Sequence, residues 1–408
     1  MRKVIALVDI FWDGHHETYF KSITRLALEL GCQVIAFCPD PKNLQDWISS
    51  QLQDYIQNIS VFEIHRPTVK KAIYPKLPGA RQLHGAVDVL EHWKDMARSI
   101  QFAASKLGKY PDLVFCLWID SYLSSYLNCQ TIDRIFPYKW SGLYFQPRHL
   151  RQKQRFSFMG RHLLQRHSLL HSAYCQSIAL LDEGVAEALQ ASLGNKPVIT
   201  FPDFADESPP DLSFELVQTI QEKAKGRKII GLLGALGRYK GFLTMLRMSR
   251  ETVEENFFFV FAGKLYRQEY SIDEQTEINC VIESNPDNCL FHLERIPGEP
   301  QFNAIISTCD ALFALYDYPH SSNILTKAAI FEKPIITSNQ FCIGERARRY
   351  QLGVTATPNH LSEALVALRT LGKWLNQECI IKPNFEEYRH IHSIAQLRQQ
   401  LKVILECM

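Results

Sequence analysis

Short apolar, β-branched runs alternate with longer amphipathic segments along nearly the whole chain, and that alternation restricts the fold more than any other feature. Lys3 to Val8 is such a run. It is followed by a Gly-containing loop, an amphipathic stretch from Glu17 to Leu30 that stops at Gly31, and a second run from Cys32 to Phe37 that stops at Pro39. Strand, helix and strand in this order predict a parallel sheet with right-handed crossovers. Val61–Ile64, Leu113–Trp118, a run ending at Tyr144, Ser177–Leu181 and Val198–Phe201 read as further strands, with a long helix over Val87–Leu107 whose His92 and Lys94 are placed outside. The acidic, Pro-rich stretch Asp203–Leu212 then breaks the pattern, as an interdomain connection would. The alternation resumes with strands at Lys228–Leu233, Phe257–Phe261, Leu290–His292, Ala311–Leu315 and Pro334–Thr337. Helices are expected over Phe242–Glu255, from near Ser322 to Phe331, over Leu361–Leu371 and over Ile394–Cys407. The expected organisation is α/β throughout, with two Rossmann-like domains of parallel sheet: residues 1–205, a linker over 206–226, residues 227–385, and a closing helical segment over 386–408. Ligands of open α/β sheets bind at the carboxyl ends of the strands, so a cleft faced by both sheets is the expected site.

Composition removes several function classes. The 408 residues carry 45 Lys and Arg against 43 Asp and Glu, a formal charge of +2, which is too balanced for a dedicated nucleic-acid binder. The 11 cysteines contain no CxxC pair and several lie inside apolar runs, which predicts free thiols in a reducing compartment and no structural zinc. No apolar stretch reaches the roughly 18 residues of a membrane-spanning helix, and the start of the chain reads as a buried strand, so a cytoplasmic protein is expected. No two Asp residues flank a single residue, so a DxD metal clamp is absent, as are GxSxG and HExxH motifs.

Four segments could carry chemistry. Gly234-Ala235-Leu236-Gly237-Arg238-Tyr239-Lys240-Gly241 lies between an apolar run and a helix. Glycines allow close approach to an anion, the helix start offers unpaired N–H groups, and Arg238 and Lys240 add charge, so a phosphate or diphosphate is the natural guest. The alternative is an ordinary turn with solvated charges; it is neither a Walker loop nor GxGxxG. Ser321, Ser322 and Asn323 open a later helix, with Lys327 about one turn inside; they serve either as caps or as a second grip on an anionic ligand. Gly14, His15 and His16 follow the first strand. The two His cannot share a helix face, which argues against a metal pair, and one of them is a candidate for acceptor or sugar binding. His149 after the run ending at Tyr144, and Asp120 after Leu113–Trp118, are polar groups at strand carboxyl ends. The basic stretch from Arg148 to Arg166, with apolar residues between its charges, is either a solvated face or a peripheral contact for anionic lipid on the cytoplasmic side of a membrane.

These segments together resemble the GT-B glycosyltransferases, in particular the large retaining group that includes glycogen synthases and sucrose synthases. The opening strand, the Gly14 loop and the helix running into Leu30-Gly31-Cys32-Gln33-Val34 match the start of that group. Pro202-Asp203-Phe204-Ala205-Asp206 is similar to its crossover between domains, Gly234–Gly241 to its donor-diphosphate segment with Lys240 at the lysine position, and Ser321–Pro334 with Ile335-Ile336-Thr337 to its donor ribose and phosphate helix. Gly344-Glu345 and Gly353 fit the downstream pattern. Three positions depart. The arginine expected after the first glycine is Ala235, and the paired glutamates eight residues apart fall at Pro319 and Lys327.

The resemblance implies transfer of a sugar from a nucleotide-diphosphate sugar to a glycan, lipid or small-molecule acceptor. It further implies retention of anomeric configuration, no protein nucleophile, no cofactor and no metal. The donor would be held by Gly14, Gly234, Gly237, Arg238, Lys240, Gly263, Ser321, Ser322, Asn323 and Lys327. His149, Arg238 and Lys240 would be catalytic, and His15, His16 and Asp120 would lie on the acceptor side. The alternatives are a sugar-nucleotide 2-epimerase of the same fold and a non-catalytic nucleotide-sugar-binding protein. A nicotinamide oxidoreductase is disfavoured, because no GxGxxG follows Val8.

Overall fold

The computed structural model describes residues 2–12, 14–66, 80–151, 166–319, 321–378 and 382–407. The chain divides into two units, one of residues 1–202 with 394–408, the other of residues 203–393. The first holds seven strands, β1 (Val4–Val8), β2 (Gln33–Cys38), β3 (Ile59–Glu63), β4 (Leu113–Cys116), β5 (Trp140–Tyr144), β6 (Cys175–Leu180) and β7 (Val198–Thr200). They pair in the order β3-β2-β1-β4-β5-β6-β7, all parallel. The second holds six, β8 (Lys228–Leu233), β9 (Phe257–Ala262), β10 (Cys289–His292), β11 (Ala311–Ala314), β12 (Ile335–Ser338) and β13 (Gly353–Ala356), in the order β10-β9-β8-β11-β12-β13, again all parallel.

Both sheets read as unbroken apolar runs because both faces are covered by helices. In the second unit Ile229, Leu233, Phe258 and Val260 pack on one side, and Ile230, Leu232, Phe259 and Phe261 on the other. The core of the first unit centres on Trp93, whose ring lies 5.1 Å from Phe136, 5.2 Å from Trp140 and 5.3 Å from Tyr122, with its indole N–H donating to the Tyr122 carbonyl at 2.9 Å. In each sheet the winding direction reverses once, at β1/β4 and at β8/β11. Such reversals leave a crevice at the strands' carboxyl ends, because the flanking crossovers run to opposite sides.

Several details differ from the sequence reading. Residues 206–226, expected as linker, contain the helix Glu215–Ala224, which packs Val217, Ile220 and Ala224 inward. The closing segment is split: the helix Phe385–Ile391 belongs to the second unit, whereas Ile394–Glu406 belongs to the first. His92 is buried, not outside; its Nδ1 meets the Ser121 carbonyl at 2.8 Å, and burial pushes its pKa down.

The described cysteines are free thiols, and burial pushes Cys38, Cys175 and Cys309 up to about 12. Cys280 is exposed. The thiolate is the reactive form and needs access, so exposed Cys280 is expected to react with a disulfide reagent on the folded protein, while those three respond only on unfolding. Timed mass spectrometry of the labelled protein reads the order of modification, and early labelling of Cys175 or Cys309 would contradict the burial described.

Candidate functional site

In the second unit the β8/β11 reversal is lined by the glycine-rich segment. Gly234, which follows β8, and Gly263, which follows β9, press their backbones together: a Cβ on Gly263, at φ +140°, would lie 1.8 Å from the Gly234 carbonyl oxygen. Any side chain at Gly263 would force these strand ends apart. Leu236, fully buried, then bridges to Leu265 and anchors the loop. The chain turns through Gly237 and a short 3-10 segment, Arg238–Lys240, and enters the helix Phe242–Glu251 at Gly241, where φ is +82° and a Cβ would come within 2.8 Å of the Leu315 carbonyl oxygen.

That turn sends its two cations to different partners. The half-buried Lys240 holds its ammonium 4.9 Å from the centre of the Tyr316 ring, and the Tyr316 hydroxyl is 3.1 Å from Ser322 Oγ. Lys240, Tyr316 and Ser322 therefore converge at the carboxyl ends of β8 and β11, with Ser321 and Ser322 both buried. Arg238 makes no such approach. Its Nε donates to Glu274 at 3.2 Å, its amide donates to Glu269 at 3.0 Å, and its side chain is 48% exposed. With Thr244, Arg247, Glu274, Asp317 and Asn359 it lines a polar cleft of about 200 Å³. The Ser271 amide and, after it, Arg238 hold the Glu274 carboxyl below the usual carboxylate range.

Asn323 occupies the cap position of the helix Ile324–Ile330 without a side-chain cap bond. Lys327, 1% exposed, directs its ammonium to the Asp206 carbonyl at 2.7 Å, Glu299 Oε2 at 2.8 Å and Asn303 Oδ1 at 2.5 Å. An ammonium has three protons, so this residue fastens the segment after Asp203 to the helix Glu299–Thr308.

In the first unit the β1/β4 reversal carries a second group. Asp9 ends β1 and is buried, and its Oδ2 lies 2.8 Å from Nδ1 of His16. Burial, the largest influence, raises the Asp9 pKa against the opposing pull of His16. The His16 ring lies 4.0 Å from the Trp118 ring and 5.1 Å from Phe11. Trp118 is covered on its far side by Phe145, also at 4.0 Å. Gly14, φ +63°, caps the helix His15–Glu29 and leaves His15 exposed. Asp120 accepts the Phe145 and Gln146 amides at 2.8 and 2.9 Å, which joins the loops after β4 and β5. His149 has both ring nitrogens engaged: Nδ1 with the Tyr144 hydroxyl at 3.0 Å and Nε2 with Nδ1 of His167 at 2.7 Å, while Nε2 of His167 meets Ser192.

Of the basic stretch, residues 152–165 lie outside the described residues; Arg151 forms a two-pronged pair with Asp182. Among the described residues no group of three or more His, Cys, Asp or Glu side chains is placed to hold a metal, and no helix is long and apolar enough to cross a membrane. Asp9, Trp118 and Tyr316 are the members of these groups that the sequence did not single out. A lone carboxylate closing an all-apolar strand was the available signal for Asp9; the two aromatics read as core.

No family model matches the chain, and no curated protein matches its sequence. Solved structures do match. The chain is similar to Anabaena HepE in complex with UDP, at 14% identity and a TM-score of 0.66 over 100% of both chains. It is similar to sucrose-phosphate synthase from Thermosynechococcus elongatus, at 13% identity and 0.68 over 99% of this chain and 98% of that one. The same holds for the trehalose 6-phosphate synthase of Burkholderia multivorans, at 9% identity and 0.65 over 99% and 98%. The chain has the GT-B fold. At these identities the likeness fixes the GT-B architecture, and the chemistry has to be argued from the residues above.

Proposed function

We propose that this protein is a glycosyltransferase that moves a sugar from a nucleotide-diphosphate sugar to a hydroxyl-bearing acceptor, without a metal. The observation that carries the reading is the convergence of Lys240, Tyr316 and Ser322 at the β8/β11 reversal. A departing diphosphate accumulates negative charge, and a preorganised ammonium with hydroxyl donors stabilises that charge more than the ground state. The glycine contacts at Gly234, Gly263 and Gly241 let backbone and phosphate approach closely. HepE, of the same fold, has been solved with UDP and with UDP and glucose, which makes uridine diphosphate sugars the first donors to try. In this reading Ser321 and Asn323 line the donor side near Lys240. Arg238 acts at most through the field around it, since Glu274 already takes its side chain.

A thermal-shift panel of UDP, UDP-glucose, ADP-glucose and GDP-mannose tests the reading. A ligand at a hundred times its Kd stabilises by about 2.7 kcal/mol, which is roughly 2–4 °C for a protein of this size or somewhat more. No shift with any member of the panel would remove the donor assignment. Product analysis with donor alone separates transfer from epimerisation, since an epimerase needs no acceptor.

A further inference from the structure

The polar cleft of about 200 Å³ is built wholly from residues of the second unit, and both of its guanidiniums are already neutralised. Arg238 faces Glu274 at 3.2 Å, and Arg247 makes a two-pronged pair with Glu277 at 2.6 and 2.9 Å. Asp317, after β11, is held by an amide instead: its Oδ2 accepts from the side chain of Asn359, after β13, at 2.6 Å. The Asp317 backbone N–H donates to the Tyr239 carbonyl at 2.9 Å, so the loops after β8, β11 and β13 are joined at the cleft. Thr244 lines it from the first turn of the helix Phe242–Glu251. This residue is 5% exposed, and its hydroxyl has no hydrogen-bond partner among the described residues. A hydroxyl sunk that far normally bonds to something. The Tyr239 ring also lines the cleft. It is 47% exposed and lies 5.6 Å from the Tyr318 ring.

These features select a class of ligand. An anion would meet the carboxylates of Glu274 and Asp317, and an arginine could serve it only by giving up a glutamate. A cation would meet the two guanidiniums. A neutral ligand with several hydroxyls leaves every pair intact, because each hydroxyl donates to a carboxylate oxygen and accepts from a guanidinium or amide N–H. Bonds of this charge-assisted kind are the strong ones. An exposed aromatic ring adds a flat apolar surface for the C–H face of a sugar. The volume lies below the roughly 300–1,000 Å³ of sites for larger ligands, which suits one ring rather than several. We propose that this cleft is a binding site for a single pyranose ring, supplied either as a free monosaccharide or as the end unit of a glycan. Its hydroxyls bond to Asp317, Asn359, Arg247 and Thr244, and its C–H face lies on Tyr239. The site goes beyond the donor reading above: it requires no transfer of sugar and stands or falls on binding alone.

The test uses the full chain and titrates glucose, galactose, mannose and maltotriose in turn, with and without saturating UDP. Saturation-transfer difference NMR reads binding, and inorganic phosphate, followed by calorimetry, serves as the anion probe. At least one of the sugars is expected to bind, with UDP changing its Kd by less than twofold. Asp317→Asn removes a charged acceptor and is expected to weaken that sugar about tenfold or more. Thr244→Val keeps the shape and removes only the hydroxyl, and a loss of about threefold or more is expected. Circular dichroism checks that both variants stay folded. Tighter binding of maltotriose than of glucose assigns the cleft to the end of a glycan, and equal binding assigns it to a free sugar; either supports the proposal. Four results overturn it: no sugar binds, wild type and both folded variants bind alike, UDP displaces the sugar, or phosphate binds and no sugar does. Absence of sugar binding leaves the donor reading standing, since that reading is tested by nucleotide-sugars and fails separately.

Discussion

Lys240→Ala is expected to lower donor turnover by about 10²- to 10³-fold, the loss seen when one preorganised donor to a developing oxyanion is removed, worth roughly 2.7–4 kcal/mol in the barrier. The expectation follows from placement. The ammonium is held against the Tyr316 ring at 4.9 Å, and Tyr316 leads to Ser322 at 3.1 Å, so the charge sits where two strands end rather than in bulk water. Lys240→Arg keeps the charge but replaces a compact ammonium with a planar fork, and partial recovery is expected. Arg238→Ala serves as the contrast. Its side chain is nearly half exposed and already paired to Glu274, so a loss under tenfold is expected. Steady-state release of UDP from UDP-glucose reads all three. A Lys240→Ala enzyme within threefold of wild type would remove the diphosphate role, and a larger loss for Arg238→Ala than for Lys240→Ala would move the leaving-group site into the 200 Å³ cleft.

Arg346→Met is expected to destabilise the second unit by about 3–5 kcal/mol, because it strands a buried carboxylate. Arg346 and Asp203 are each 1% exposed and meet at 2.9 Å. Asp203 is fixed further, since its amide donates to Nδ1 of His392 at 3.0 Å and its carbonyl accepts the Thr326 hydroxyl. The carboxylate therefore cannot swing out to water when its partner is removed. Pairing Arg346→Met with Asp203→Asn removes both charges, and most of the loss is expected to return. Urea unfolding, followed by a probe confined to the second unit, measures the difference. A change below about 1 kcal/mol for the single substitution would show that water reaches the pair.

Much of the architecture was written in the sequence, because unbroken apolar runs and period-3.6 amphipathic segments follow from the geometry of doubly covered strands and of helices. The strand–helix–strand unit over Lys3–Phe37 was enough to predict parallel sheets. The units divide after Pro202, where the Pro-rich stretch begins. What escaped had weak local signals. The helix Pro41–Gln51 is announced by Asp40 and Pro41, but it buries only Leu44 and Ile48. The helix Glu215–Ala224 hides just beyond the prolines that mark a linker.

Side-chain partners were less legible than elements. Lys240 reaches the Tyr316 ring, whose hydroxyl meets Ser322, since strand ends and helix starts share one edge of a parallel sheet. Lys327, Arg238 and His149 are each taken up by residues distant in the sequence: Glu299, Glu274 and His167. Nothing local distinguishes a lysine bound for a ligand from one bound for a glutamate on another helix. The Asp9–His16 pair needed the turn at Gly14, which no periodicity predicts.

The last helix, Ile394–Glu406, packs on the helix His15–Glu29 and on β7, and Lys3 reaches the carbonyl of Leu405. The first unit is thus assembled from segments that flank the second unit in the sequence. Throughout synthesis the first seven strands must wait with an apolar flank uncovered, while residues 203–393 can reach their final form ahead of them. A nascent chain stalled near Ser393 should be the species most in need of a chaperone.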